Sequence, residues 1–231
     1  MKTRPSARTR AAVAAPRKRI LIVDDHAIMR DGLSRMIAQE PDMEVCAQTG
    51  DAFAALELAA REKPDLALVD ITISGKNGLE LIKDLHVQYP RVAILALSMH
   101  EETLYAERVL RAGGRGYVMK TESGERMIKA MRQVLAGGIA ISPTVSGKML
   151  NRVIGHSSDI SPIVEELTDR ELEIFQIIGE GWDNAHIASH LHISSKTVEV
   201  HRGHIKEKLN IATTGELISF AARWNQAQGK I

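Results

Sequence analysis

The stretch Asp65-Leu66-Ala67-Leu68-Val69-Asp70 decides the fold. An unbroken apolar run that stops on a carboxylate reads as a strand buried on both faces, the pattern of a parallel sheet. A second run, Arg19-Ile20-Leu21-Ile22-Val23-Asp24-Asp25, stops on two carboxylates in the same way. Working outward from these, strands are expected over Arg19–Asp24, Glu44–Thr49, Leu66–Asp70, Val92–Ser98 and Gly116–Met119. Helical patterns lie between and after them, over Ala27–Gln39, Ala52–Glu62, Gly78–Gln88, Glu102–Ala112 and Glu125–Ala136. The last carries Met127, Ile128, Met131, Val134 and Leu135 on one face. Strands alternating with helices imply an α/β fold, a doubly wound five-stranded parallel sheet with right-handed crossovers.

The chain has 231 residues, enough for two modest domains. Its formal net charge of +1 points to no partner, so any nucleic-acid surface must be local. The lone Cys46 has no internal disulfide partner and reads as a structural thiol in a reducing compartment. No apolar run approaches the ~18–20 residues that span a bilayer, so no membrane association is expected and the cytoplasm is the expected setting. Residues 1–18 are basic and lack acids; they read as a disordered basic tail, with an organellar transit peptide as the alternative. Residues 19–138 form the α/β domain. After Gly137-Gly138, residues 139–164 read as a linker, rich in Ser, Gly and Pro from Ser142 to about Pro162, with a short helix near Val145–Ile154 and a flexible far part.

From 165 to 231 the strand pattern is gone and an all-α domain is expected. Thr168-Asp169-Arg170-Glu171 is a capping box that opens a helix containing Leu172, Ile174, Phe175 and Ile178, closed by Gly179 and Gly181. Asp183 or Asn184 can cap a short helix. The turn His192-Ile193-Ser194 leads to Ser195, which can cap a longer helix through Leu209. Thr213-Thr214-Gly215-Glu216 is a second capping box, opening a final helix through about Trp224. Two helices joined by a tight turn, the second longer and polar on one side, make a helix-turn-helix.

In open α/β sheets chemistry sits beyond the carboxyl ends of the strands. Asp24, Asp25 and Asp70 are expected to meet there. Three carboxylates together either raise their pKa values or bind a cation, and an all-oxygen set suits Mg²⁺. A carboxylate such as Asp70 can attack phosphorus and form an aspartyl-phosphate. Ser98 brings a hydroxyl to the end of the fourth strand, and Lys120 an ammonium suited to a phosphoryl oxygen after the fifth.

Ile22-Val23-Asp24-Asp25-His26, Asp70, Ser98 and Lys120 resemble the receiver domain of bacterial two-component response regulators. Leu167-Thr168-Asp169-Arg170-Glu171 and Ile193-Ser194-Ser195-Lys196-Thr197-Val198-Glu199-Val200-His201-Arg202 resemble the LuxR-type helix-turn-helix. Together they resemble the NarL/FixJ class. That resemblance implies a flavodoxin-like receiver and Mg²⁺ held by Asp24, Asp25, Asp70 and the backbone carbonyl of Thr72. It implies a phosphoryl group received on Asp70 from a sensor histidine kinase, with Ser98 and Tyr117 reorienting as switch residues. It also places Thr72 and His100 at positions that tune phosphate lifetime. One departure stands out: three and four residues after the acceptor the family usually has Met-Pro, whereas this chain has Ile73-Ser74, and the loop loses the stiffness of proline.

On the helix after the turn, Val198, Arg202, Ile205 and Leu209 share one face, with His201 at its border. Lys196, Val200, Gly203 and Glu207 lie opposite, flanked by Glu199 and His204. An outward valine suits a thymine methyl in the major groove of double-stranded DNA, and Glu199 can accept from cytosine N4. Gly203 costs ~1 kcal/mol relative to Ala inside a helix, which close approach to DNA would offset. Lys196, Thr197, Arg202 and Lys206 suit phosphates, which position the helix. His186, His190 and His192 lack an acid or cysteine to complete a zinc site and read as surface histidines near phosphates.

The reading that results is a transcription regulator, not an enzyme, that forms a homodimer when phosphorylated. Two rivals differ in class. A regulator of the same shape that ignores phosphorylation would bind DNA without a phosphodonor. A flavodoxin-like phosphatase using the aspartate nucleophile would need a general acid, and Thr72 stands where some such enzymes place an aspartate.

Overall fold

The computed structural model describes residues 16–73, 77–154, 164 and 166–227. Most of the expected basic tail, the far part of the linker and Ser74 lie outside the described residues.

The parallel sheet comprises β1 (Lys18–Val23), β2 (Met43–Thr49), β3 (Leu66–Asp70), β4 (Ala93–Ser98) and β5 (Gly116–Met119), in the order β2-β1-β3-β4-β5. Every pairing is parallel. Helices α1 (Ala27–Ala38), α2 (Ala52–Glu62), α3 (Gly78–Gln88), α4 (Glu102–Arg111) and α5 (Gly124–Leu135) follow the strands in turn. All of β3 and most of β1 and β4 are buried, which is why these segments read as continuous apolar runs rather than alternating ones. The register of β1 against β2 shifts between Ile20 and Leu21, and Cys46 is the residue left over. Its thiol contacts the Ile20 carbonyl at 3.3 Å; it is half-buried, and that burial pushes its pKa up. The order reverses between β1 and β3, so a crevice opens beyond their carboxyl ends, where Asp24 and Asp70 stand.

The expected linker is partly built. Ala140 bridges to Gly116 beside β5, and α6 (Pro143–Val153) packs on α4 through buried Val145. The helical domain contains α7 (Asp169–Gly179), α8 (Asn184–His190), α9 (Ser195–Lys208) and α10 (Thr214–Ala227). Both capping boxes form: Thr168 with Glu171, and Thr213 with Glu216. Asp183 caps α8 through the His186 N–H. The expected cap of α9 was one residue late. Ser194, not Ser195, accepts from the Thr197 N–H, because it is the last residue with extended backbone.

Sequence periodicity gives α7 a single apolar face, yet Glu173 and Gln176 are buried along with Leu172 and Phe175. One face packs on α9 and α10, and the other meets α3 and α4 of the sheet domain. A periodicity argument sees the partner a domain carries within itself, not the one that covers its polar side.

Candidate functional site

The expected acids converge. Asp24 follows β1 and Asp70 ends β3, and both are buried. Lys120, just past β5, reaches Asp24 Oδ2 at 2.6 Å and Asp70 Oδ2 at 2.7 Å. Its own backbone N–H is tied to the Ser98 carbonyl of β4. Asp25 is more exposed and faces His26 Nδ1 at 2.8 Å. The His26 N–H donates to Asp24 Oδ1, and the Thr72 N–H donates to Asp70 Oδ1 at 3.1 Å. Asp24, Asp25, His26 and Asp70 each place one donor atom within 4.8 Å of the others. His26 is an addition to the expected set; it follows the acids directly in the sequence.

Burial pushes the Asp70 carboxyl up to about 7; the Lys120 ammonium opposes the rise and Asp24 adds to it. Burial works against the Lys120 ammonium as well, but Asp70 and Asp24 outweigh it and hold its pKa above the ordinary lysine value. Between 3.8 and about 7 the folded chain therefore keeps a proton on Asp70 that the unfolded chain has lost. Asp70 favours the fold at low pH, and that contribution is lost as pH rises through 7. In chelator-treated protein, unfolding free energies from urea titrations at about pH 5 and about pH 8 should differ more for wild type than for Asp70→Asn, by on the order of 2 kcal/mol. Equal pH dependence in the two proteins would refute the raised pKa.

Ser98 and Tyr117 join the acids through a residue whose connecting role the sequence did not reveal. His100 donates its N–H to Ser98 Oγ at 3.1 Å and accepts the Tyr117 hydroxyl on its carbonyl at 2.6 Å. Its Nε2 lies 3.4 Å from Thr72 Oγ1, and its ring stacks on Tyr105 with centroids 5.1 Å apart. The Tyr105 hydroxyl, in turn, donates to Gln176 Oε1 of α7 at 3.2 Å. A contiguous set of contacts thus runs from beside Asp70 into the helical domain. The same junction holds Asn77 Nδ2 with Glu173 Oε2, Lys83 with Asp169, and Arg108 with both the Leu167 carbonyl and Asp169 Oδ1.

On α9, Val198, Ile205 and Leu209 are buried, as their shared face requires. Lys196, Thr197, Glu199, Val200 and His204 are exposed, while Gly203 and Lys206 are half-buried. A Cβ on Gly203 would meet nothing within 4 Å, so packing does not demand glycine there. Arg202 is more internal than expected: its guanidinium donates to Asn184 Oδ1 at 2.7 Å and braces α9 to α8. His186 pairs with Asp183, and the His186 and His190 rings pack edge-on against Trp182.

Comparison with known proteins bears on both halves. Residues 20–132 match the response regulator receiver domain, and residues 165–221 match the bacterial regulatory proteins of the luxR family. The transcriptional regulatory protein DegU of Brevibacillus brevis is 36% identical over 206 residues, covering 83% of this chain and 87% of that one. The oxygen regulatory protein NreC of Staphylococcus carnosus is 33% identical over 210 residues, covering 89% and 97%. Among solved structures, a LuxR-family two-component response regulator from Aurantimonas is 31% identical, with a TM-score of 0.55 over 60% of this chain and 99% of that one. The RcsB response regulator of Salmonella typhimurium shares the fold, with a TM-score of 0.65 at 21% identity over 90% and 98%. Among the described residues no helix is long and apolar enough to cross a membrane. A sheet domain with this acidic crevice, joined to a helix-turn-helix and matched along most of its length by DegU and NreC, belongs to the NarL/FixJ class of two-component response regulators.

Proposed function

We propose that Asp70 accepts a phosphoryl group from a sensor histidine kinase, and that its phosphorylation frees the helical domain to bind DNA as a homodimer. The observation that carries this reading is the buried pair Asp24 and Asp70 sharing the Lys120 ammonium, with Ser98 on the adjacent strand end. Three carboxylates facing one ammonium leave excess negative charge, and their all-oxygen character fits Mg²⁺ held by Asp24, Asp25 and Asp70, with the Thr72 carbonyl as a further oxygen. Bound there, the cation supplies neutralisation of the phosphoryl oxygens. Asp70 supplies the attacking oxygen. Lys120 holds a phosphoryl oxygen by a charge-assisted bond. The Ser98 oxygen already accepts from the His100 N–H, which leaves its own proton to donate to the phosphoryl group.

Turning the Ser98 hydroxyl to the phosphoryl group pulls on His100, and with it on Tyr105 and Tyr117. The Tyr105–Gln176 bond is where that movement meets α7. Docking leaves Lys196, Thr197, Glu199 and Val200 exposed, so it restrains DNA binding by fixing the orientation of the helical domain rather than by covering α9. A dimer must place two recognition helices about 34 Å apart, one turn of DNA. In that dimer Val200 and Glu199 face base edges and Gly203 allows close approach. Lys196, Thr197, Lys206 and His204 meet phosphates, joined by Arg202 once its guanidinium leaves Asn184.

Arg108 offers the test. Its charge-assisted bonds to Asp169 and the Leu167 carbonyl are worth roughly 1.5–3 kcal/mol when partly buried. Arg108→Ala should raise DNA affinity without phosphodonor by about tenfold, measured by fluorescence anisotropy on a duplex selected from a random pool. Unchanged affinity would show that docking does not restrain DNA binding.

A further inference from the structure

The helical domain brings together a carboxylate and two imidazoles that the phosphoacceptor chemistry does not use. Glu171, at the start of α7, is buried. Its Oε2 accepts from Lys208 Nζ at 2.6 Å and from the Thr168 N–H at 2.8 Å. Its Oε1 faces His204 Nδ1 at 3.7 Å, too long for a hydrogen bond. His201 lies one turn earlier on α9, and its Nδ1 is buried with no hydrogen-bond partner among the described residues. One donor atom from each of the three residues lies within 4.8 Å of the other two.

We propose that Glu171, His201 and His204 form a binding site for a divalent transition-metal cation of the zinc class, with water as fourth ligand. Two imidazoles and one carboxylate are the ligands zinc takes with an open position, whereas Mg²⁺ selects oxygen. The donor atoms must draw in, since ligands ~2.0–2.1 Å from zinc in a tetrahedron stand roughly 3.3 Å apart. The His204 side chain is 55% exposed and turns at little cost. Glu171 is already oriented: Lys208 and Thr168 hold Oε2, and Oε1 is left facing the histidines, the support that ligating carboxylates receive from a second layer of hydrogen bonds. Coordination through Nδ1 would give that atom of His201 the partner it lacks; a buried polar atom left unpaired costs ~1–3 kcal/mol. The Lys208 ammonium beside Glu171 and the Arg170 guanidinium near His201 oppose a further cation, and three protein ligands are available among the described residues, so binding is weaker than at a structural zinc site with four protein ligands. Occupancy ties α9 to α7 and withdraws His204 from the outward face of the recognition helix.

The test is cobalt substitution in the full chain, with Mg²⁺ in excess so that oxygen sites are filled. Wild type should take up one Co²⁺ with the intense visible absorption of tetrahedral coordination. Zn²⁺ should displace it and raise the thermal midpoint. His204→Asn should weaken uptake by at least about tenfold and remove the thermal shift. His204→Gln repeats the test if the first variant does not fold. His26→Ala, in the acidic crevice of the sheet domain, should keep the absorption. The proposal is overturned if wild type shows no tetrahedral absorption, if both His204 variants keep it, or if His26→Ala abolishes it.

Discussion

Asp70→Asn should take up no phosphoryl group from a small phosphodonor with Mg²⁺, while wild type gains the mass of one. The amide keeps the shape of the carboxylate and one oxygen for the Thr72 N–H, so the crevice survives. What it lacks is a negatively charged oxygen able to attack phosphorus. The loss should be complete within detection by intact-protein mass spectrometry, because the variant removes the attacking carboxylate itself. Asp24 carries the Lys120 contact and the His26 N–H, and Asp25 stands beside His26 at the more exposed edge. Equal uptake by the variant would move the acceptor elsewhere.

Gly78→Ala should be the most destabilising small change near the site. A Cβ there would fall 2.1 Å from the Asp70 carbonyl oxygen and 2.7 Å from Ile71 Cα. Both are backbone atoms of the segment that carries Asp70, and the Gly78 N–H is bonded to the Ile71 carbonyl. No flexible side chain is there to give way. Either α3 moves off the sheet or the end of β3 bends, at a cost of about 3 kcal/mol or more. The urea midpoint should fall accordingly, and phosphoryl uptake should fall with it because Asp70 moves. By contrast, Gly203→Ala, with open space around its Cβ, should leave the midpoint unchanged or slightly raised. A Gly78→Ala protein as stable as wild type would contradict the close approach of α3 to β3.

The sheet and its acids were legible because one physical cause governs both. Strands buried on two faces must be apolar throughout, so the first polar residue after each run marks its end: Asp24, Asp70, Ser98 and Lys120 sit where the apolar runs stop. The capping boxes at Thr168 and Thr213 were legible because their partners lie three residues away. Contacts made across the fold were not. Gln176 and Glu173 look like solvent-facing residues of an amphipathic helix until α3 and α4 cover them. The connecting role of His100 needs Thr72, Ser98, Tyr105 and Tyr117 placed around it, and these come from four separate segments. The head of Arg202 turns to Asn184 on the preceding helix, which a single helical wheel does not display.

A phosphoryl group on Asp70 is proposed to control DNA binding through the docked α7. The most direct measurement is the affinity of the full chain for a selected duplex with and without beryllofluoride and Mg²⁺. Wild type should bind at least about tenfold more tightly with the mimic, and Asp70→Asn should not respond to it. Equal affinity for wild type in both conditions would contradict the account and leave a regulator that binds DNA without regard to its acidic crevice.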